Sequence, residues 1–119
     1  MRNGPTDVYQ VWDDEWNVLY VGISDNAFRR LSEHARSSQW WPRADFLRID
    51  RYQDRWSARK TEAVVIALDE PLFNIAQDES AFDAGWADIH NGIHKYPTIA
   101  EYEFPIEFLR GVKSWLRPA

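Results

Sequence analysis

The chain of 119 residues contains no cysteine, which excludes disulfides, thiolate nucleophiles and Cys-ligated metal centres. It has no apolar run near the ~20 residues a membrane helix needs, and its opening MRNGPTDVY has no signal-like apolar core. An unanchored, cytoplasmic protein is expected. No Gly-rich phosphate loop and no Ser-His-Asp order is legible. His90 and His94 are four apart, but Gly92 between them and the lack of cysteine speak against a zinc site. Positive charge is also short: the net charge is −5, which argues mildly against a nucleic-acid partner.

That average conceals an asymmetry. Between Arg29 and Lys60, nine basic residues face four acids, so this segment nets +5 and the remainder −10. A local basic surface on an acidic body is compatible with a polyanion; interspersed Arg–Asp pairs on a solvated face are equally compatible. Seven tryptophans at this length point to a core or interface rich in large rings.

Residues 7–12 and 18–23 read as strands, and the polar Asp13, Asp14, Glu15 and Asn17 between them as a hairpin turn. A turn centred on Asp14 and Glu15 would set Tyr9 directly opposite Tyr20, about 5 Å apart. Ser24, Asp25 and Asn26 supply N-cap chemistry for a helix over 26–36. On it Phe28, Leu31 and Ala35 form an apolar stripe, which Arg30 and His34 flank as i,i+4 neighbours. Residues 46–52 alternate as a third strand, and a second helix is expected over 57–69, ended by Pro71. Residues 75–119 are acidic and aromatic. Here the pattern gives a short helix near 79–89, a loop from Gly92 to Pro97 and a helix near 106–116. The whole predicts an α+β fold, a small three-stranded antiparallel sheet flanked by helices in β-β-α-β-α order. The domain would span 1–76, with a helical or irregular extension over 77–119.

Glu62 is the most informative residue. Its neighbours at i−4, i+3 and i+4 are Ala58, Val65 and Ile66, so the carboxylate sits on an apolar stripe and needs a partner. That partner is either a structural cation such as an arginine or a divalent metal.

Taken together, these residues resemble the GIY-YIG nuclease superfamily over about residues 7–74. The first motif stands as Asp7-Val8-Tyr9 and the second as Tyr20-Val21-Gly22. The family's helix arginine, ten residues beyond the second tyrosine, falls on Arg30, and its histidine four residues later on His34. Its metal-binding glutamate falls on Glu62 and its closing asparagine on Asn74, within PLFN. The first motif's glycine is Asp7 here. The resemblance implies Mg²⁺- or Mn²⁺-dependent hydrolysis of DNA, duplex or branched, by a single-metal mechanism. Glu62 would hold the metal. Tyr9 would serve as general base, assisted by Tyr20 and His34, with Arg30 lowering the Tyr9 pKa or clamping phosphate and Asn74 orienting the site. Arg29, Arg36, Arg43, Arg59 and Lys60 would contact nucleic acid, although Arg29 also reads as an ion-pair partner of Glu33. The competing expectation is a catalytically inactive module of the same fold that binds nucleic acid or protein. The C-terminal extension would dock a second copy or a recruiting partner.

Overall fold

The computed structural model describes residues 4–74 and 78–105. Four strands form one antiparallel sheet in the order β2-β1-β3-β4, with β1 at Thr6–Trp12, β2 at Val18–Ser24, β3 at Phe46–Tyr52 and β4 at Thr98–Pro105. Among the described residues three helices accompany it: α1 (Ala27–Ser37), α2 (Arg55–Asp69) and α3 (Glu79–His90). The protein is thus a small α+β domain. Among the described residues no helix is long and apolar enough to cross a membrane.

The hairpin departs from the expected register. Asp13 and Asn17 close the turn through Asp13 N–H to the Asn17 carbonyl at 3.0 Å. The Asp13 carboxylate also accepts from the Glu15 and Asn17 amides, both at 2.9 Å. The loop is therefore three residues, Asp14 to Trp16, with Trp16 left-handed at φ 63°. Such a loop ends in a bulge rather than a two-residue turn, and the register shifts between Val11 and Trp12. Tyr9 consequently faces Gly22, and Tyr20 faces Val11. The displacement is two residues, so Tyr9 and Tyr20 stay on one face of the sheet.

Each helix opens on a side-chain cap. Only the first of these was anticipated: Asn26 accepts from the Arg29 amide ahead of α1, while Asp54 caps α2 through Ser57 and Asp78 caps α3 through Ala81. The left-handed Glu70, φ 46°, closes α2 just before Pro71.

The fourth strand corrects the three-stranded expectation. β4 lies in the stretch anticipated as helical or irregular, and pairs along β3 from Tyr52↔Thr98 to Phe46↔Pro105. Its outer position explains why alternation did not reveal it: Ile99, Glu101, Tyr102 and Glu103 are all exposed. It is held in part by charge, because Arg48 on β3 pairs with Glu103 at 2.7 Å and Glu101 at 3.2 Å. The helix expected near 106–116 lies outside the described residues.

Side chains alternate along β1 into two buried clusters. Tyr9 and Val11 join Leu47, Ile49, Trp40, Trp41 and the α1 residues Ala27 and Leu31. Val8 joins Val21, Tyr52 and the α2 residue Ala58. At ~25 cal/mol per Å², such burial dominates the stability of a chain this small.

Candidate active site

At the heart of the first cluster the Tyr9 hydroxyl and His34 Nε2 are hydrogen-bonded at 3.0 Å. Both residues are almost fully buried, at 1% and 4% exposure. The Tyr9 and Tyr20 ring centroids are 6.1 Å apart, and Tyr20 meets His34 edge-on at 5.0 Å. Trp40 completes the wall, stacked on Tyr20 at 5.2 Å and tilted against His34 at 4.7 Å. Trp40 was missed in the sequence because WWP reads only as a helix interruption. His34 Nδ1 is bonded to the Ser38 hydroxyl, a second residue the motif did not mark.

The expected Gly22 belongs to this geometry for a steric reason. A Cβ at that position would stand 2.3 Å from both Cζ and Oη of Tyr9. The Tyr9 ring lies across the β2 backbone, and only glycine leaves room for it.

Burial sets the electrostatics. It pushes the Tyr9 phenol far above its ordinary value, Tyr20 and Glu62 adding to the rise, while Arg30 opposes it and loses. The expectation that Arg30 lowers the Tyr9 pKa thus holds for the direction of its effect and fails for the balance. His34 is pushed down to about 4, first by burial and then by the Arg30 charge, so it is neutral at pH 7. Arg30 itself, partly exposed, reaches Glu33 at 2.6 Å.

Glu62 is half-buried and makes no ion pair or hydrogen bond among the described residues. Desolvation lifts its pKa to about 7 against the pull of Arg55 and Arg59. Its negative charge is felt at Tyr9, but no hydrogen bond joins it to the Tyr9–His34 pair. Asn74 acts on the backbone of β2: its Oδ1 accepts from the Val21 amide and its Nδ2 donates to the Val21 carbonyl, both at 2.9 Å. The Leu72 and Phe73 amides bond to the Val18 and Leu19 carbonyls. The PLFN segment therefore runs beside the outer strand β2 and fixes the one that carries Tyr20.

Asp7, standing where the motif has glycine, is a buried structural acid. It accepts from the Ala27 amide at 2.9 Å, at the positive end of α1, and from Arg51 at 2.9 Å. It fastens β1 to the start of the helix that carries Arg30 and His34.

The basic residues expected to contact nucleic acid are mostly neutralised. Arg29 pairs with Asp25 rather than Glu33, Arg43 with Asp13, Arg59 with Asp78 and Lys60 with Asp88. Lys60 also lies over the Tyr96 ring at 4.4 Å. Only Arg36 of the five has no ion pair among the described residues. The acids that do come within ligand distance of one another are Asp13, Asp14 and Glu15. They form the hairpin turn, where Asp13 already serves the turn amides.

Comparison with family models, with curated proteins and with solved structures finds no match.

Proposed function

We propose that this chain is a metal-dependent endonuclease of GIY-YIG type, hydrolysing DNA phosphodiester bonds with tyrosine assistance. The observation that carries the reading is the buried Tyr9–His34 hydrogen bond, 3.0 Å long, between two residues that the resemblance assigns to the site. Mg²⁺ or Mn²⁺ suits the donor at Glu62, a hard carboxylate oxygen with no ion pair or hydrogen bond among the described residues. When bound there, the ion would offset charge on the phosphate oxygens and the departing alkoxide.

The residues themselves define the proton chemistry. Tyr9 holds its proton too tightly to stand as a phenolate at neutral pH. It therefore takes a proton from the attacking water only while passing its own to His34 Nε2, which is neutral and within reach. Tyr20 and Trp40 keep water from the imidazole and hold its plane. Arg30, at the edge of the cluster, is oriented by Glu33 and offers its planar fork to phosphate oxygens.

Supercoiled plasmid incubated with the protein and Mg²⁺ or Mn²⁺ tests this reading. Nicking that EDTA, Glu62→Ala and Tyr9→Phe each abolish supports it; full activity in either folded variant refutes it.

One observation favours a second reading, a non-catalytic module that binds a protein partner. Four of the five cations expected on the DNA face are already ion-paired, which weakens the grip on a polyanion. A protein that neither binds nor cleaves the plasmid under any metal would select that reading.

A further inference from the structure

His34 is held from both of its ring nitrogens, and the second of these contacts decides what the first one does. Ser38 follows the last residue of α1 as its C-cap, and its amide bonds to the His34 carbonyl at 2.9 Å. That backbone bond, together with the extended conformation of Ser38 (φ −85°, ψ 126°), returns the Ser38 hydroxyl to His34 Nδ1 at 2.5 Å. On the other side, Nε2 meets the Tyr9 hydroxyl. A neutral imidazole has one N–H and one lone pair, so the two contacts select a single tautomer between them.

The chemistry of the two hydroxyls makes the choice. Tyr9 is a phenol, a better donor and a poorer acceptor than an aliphatic hydroxyl. The Arg30 charge acts on the same phenol oxygen and further reduces its readiness to accept from an imidazole N–H. Ser38 is the better acceptor, and half-buried Ser38 retains access to water for its own proton, in a groove lined by Ser37, Gln39, Trp40 and Phe73. The charged and titratable groups around the imidazole are Arg30 and Glu33 from α1, Tyr9 from β1 and Tyr20 from β2. None of these approaches Nδ1 as a competing hydrogen-bond partner.

We propose that Ser38 is a positioning residue that holds the His34 proton on Nδ1, leaves Nε2 as the acceptor for the Tyr9 proton, and gives that proton an exit to solvent. The transfer balances. The Tyr9 O–H bond breaks as an N–H bond forms at Nε2, the Nδ1 proton passes to Ser38 Oγ, and the original Ser38 proton leaves to water. No net charge stays on the imidazole. The role in turnover rests on the nuclease reading; the tautomer does not.

Two measurements on the full chain separate these. Two-bond ¹H–¹⁵N correlation of the His34 ring at pH 7 reads the tautomer directly. The wild type is expected to carry its proton on Nδ1, Ser38→Ala to shift toward Nε2–H, and Ser38→Thr to keep the wild-type pattern. In single-turnover plasmid nicking, Ser38→Ala is expected to slow the cleavage step roughly tenfold, short of the ~10² lost with an acid–base group itself. DNA affinity should be unchanged, and Ser38→Thr should restore the rate. A wild-type proton on Nε2, or a Ser38→Ala variant that keeps both the wild-type tautomer and the wild-type rate, overturns the proposal. If the wild type cleaves no substrate, the nuclease reading falls and the ring spectrum alone decides the placement by Ser38.

Discussion

Replacing Glu62 by glutamine should stabilise the protein, and the gain should depend on pH in a calculable way. Burial raises the Glu62 pKa from an ordinary 4.5 to about 7. The folded state thus holds a proton that the unfolded chain releases between those values. Stability must then fall as pH rises through this window, because there the unfolded state binds fewer protons than the folded one. Above pH 7 the folded protein bears the full cost of a desolvated carboxylate. At ~1.4 kcal/mol per pH unit between the two pKa values, that cost reaches about 3 kcal/mol. Partial solvent access makes this an upper bound. Glutamine keeps the shape and has no charge to desolvate. Urea unfolding of both proteins should therefore give nearly equal stability at pH 4 and a gap of ~2–3 kcal/mol in favour of Glu62→Gln at pH 8. For a chain of this size the gap corresponds to roughly 5–15 °C in Tm. Millimolar Mg²⁺ should narrow it by stabilising the wild type alone. A gap that stays flat from pH 4 to 8, or a less stable glutamine variant at pH 8, would show that the carboxylate has a folded-state partner and refute the reasoning.

The other predictions follow from single contacts. Gly22→Ala should cost about 2–3 kcal/mol in urea unfolding, because its Cβ would enter the buried Tyr9 ring, 2.3 Å from Cζ; an unchanged midpoint would mean that the ring does not lie there. Asp7→Ala should cost ~2–4 kcal/mol by stranding the Ala27 amide and Arg51, and amide exchange should quicken first in the opening turn of α1. Duplex DNA binding, measured across salt concentrations, should give a log–log slope no steeper than about −3, since few unpaired cations remain among the described residues to displace counterions. A slope near −5 or beyond would mean that the ion pairs of Arg29, Arg43, Arg59 and Lys60 open on binding.

Much of the sheet and helix order could be read from the sequence because local chemistry dictates it. The alternation of FLRIDRY, the cap at Asn26 and the Pro71 stop act within a few residues, and β3, α1 and α2 lie within two residues of their expected bounds. The register of the hairpin was not legible, because the difference between a two-residue and a three-residue loop lies in how Asp13 uses its carboxylate and in the left-handed Trp16. β4 escaped because an outer strand owes its place to Arg48 on another strand rather than to its own hydrophobic pattern. The site shows the same division. Spacing kept Tyr9 and Tyr20 on one face and set Arg30 beside His34, but it did not reveal the Tyr9–His34 hydrogen bond. It could not foresee that Asp7 anchors α1 or that Asp25, Asp13, Asp78 and Asp88 neutralise the basic residues, since those pairings depend on tertiary proximity.

Three groups in the candidate site are displaced in two directions by one cause. Desolvation heads the forces that raise Tyr9, lower His34 and raise Glu62. Each shift favours the neutral form, so a phenol, an imidazole and much of a carboxylate population sit near one another at pH 7 with little charge between them. This is how a domain of this size can gather ionisable groups around a core without self-repulsion. The arrangement also orders the chemistry. Tyr9 cannot serve as a resident base, and His34 cannot serve as a resident acid. The pair is suited, under the nuclease reading, to a concerted shift of protons along the chain from Tyr9 to His34 to Ser38. Under the nuclease reading, the same burial that costs stability at Glu62 keeps the resting site nearly uncharged, and the partly exposed Arg30 provides fixed positive charge at its edge.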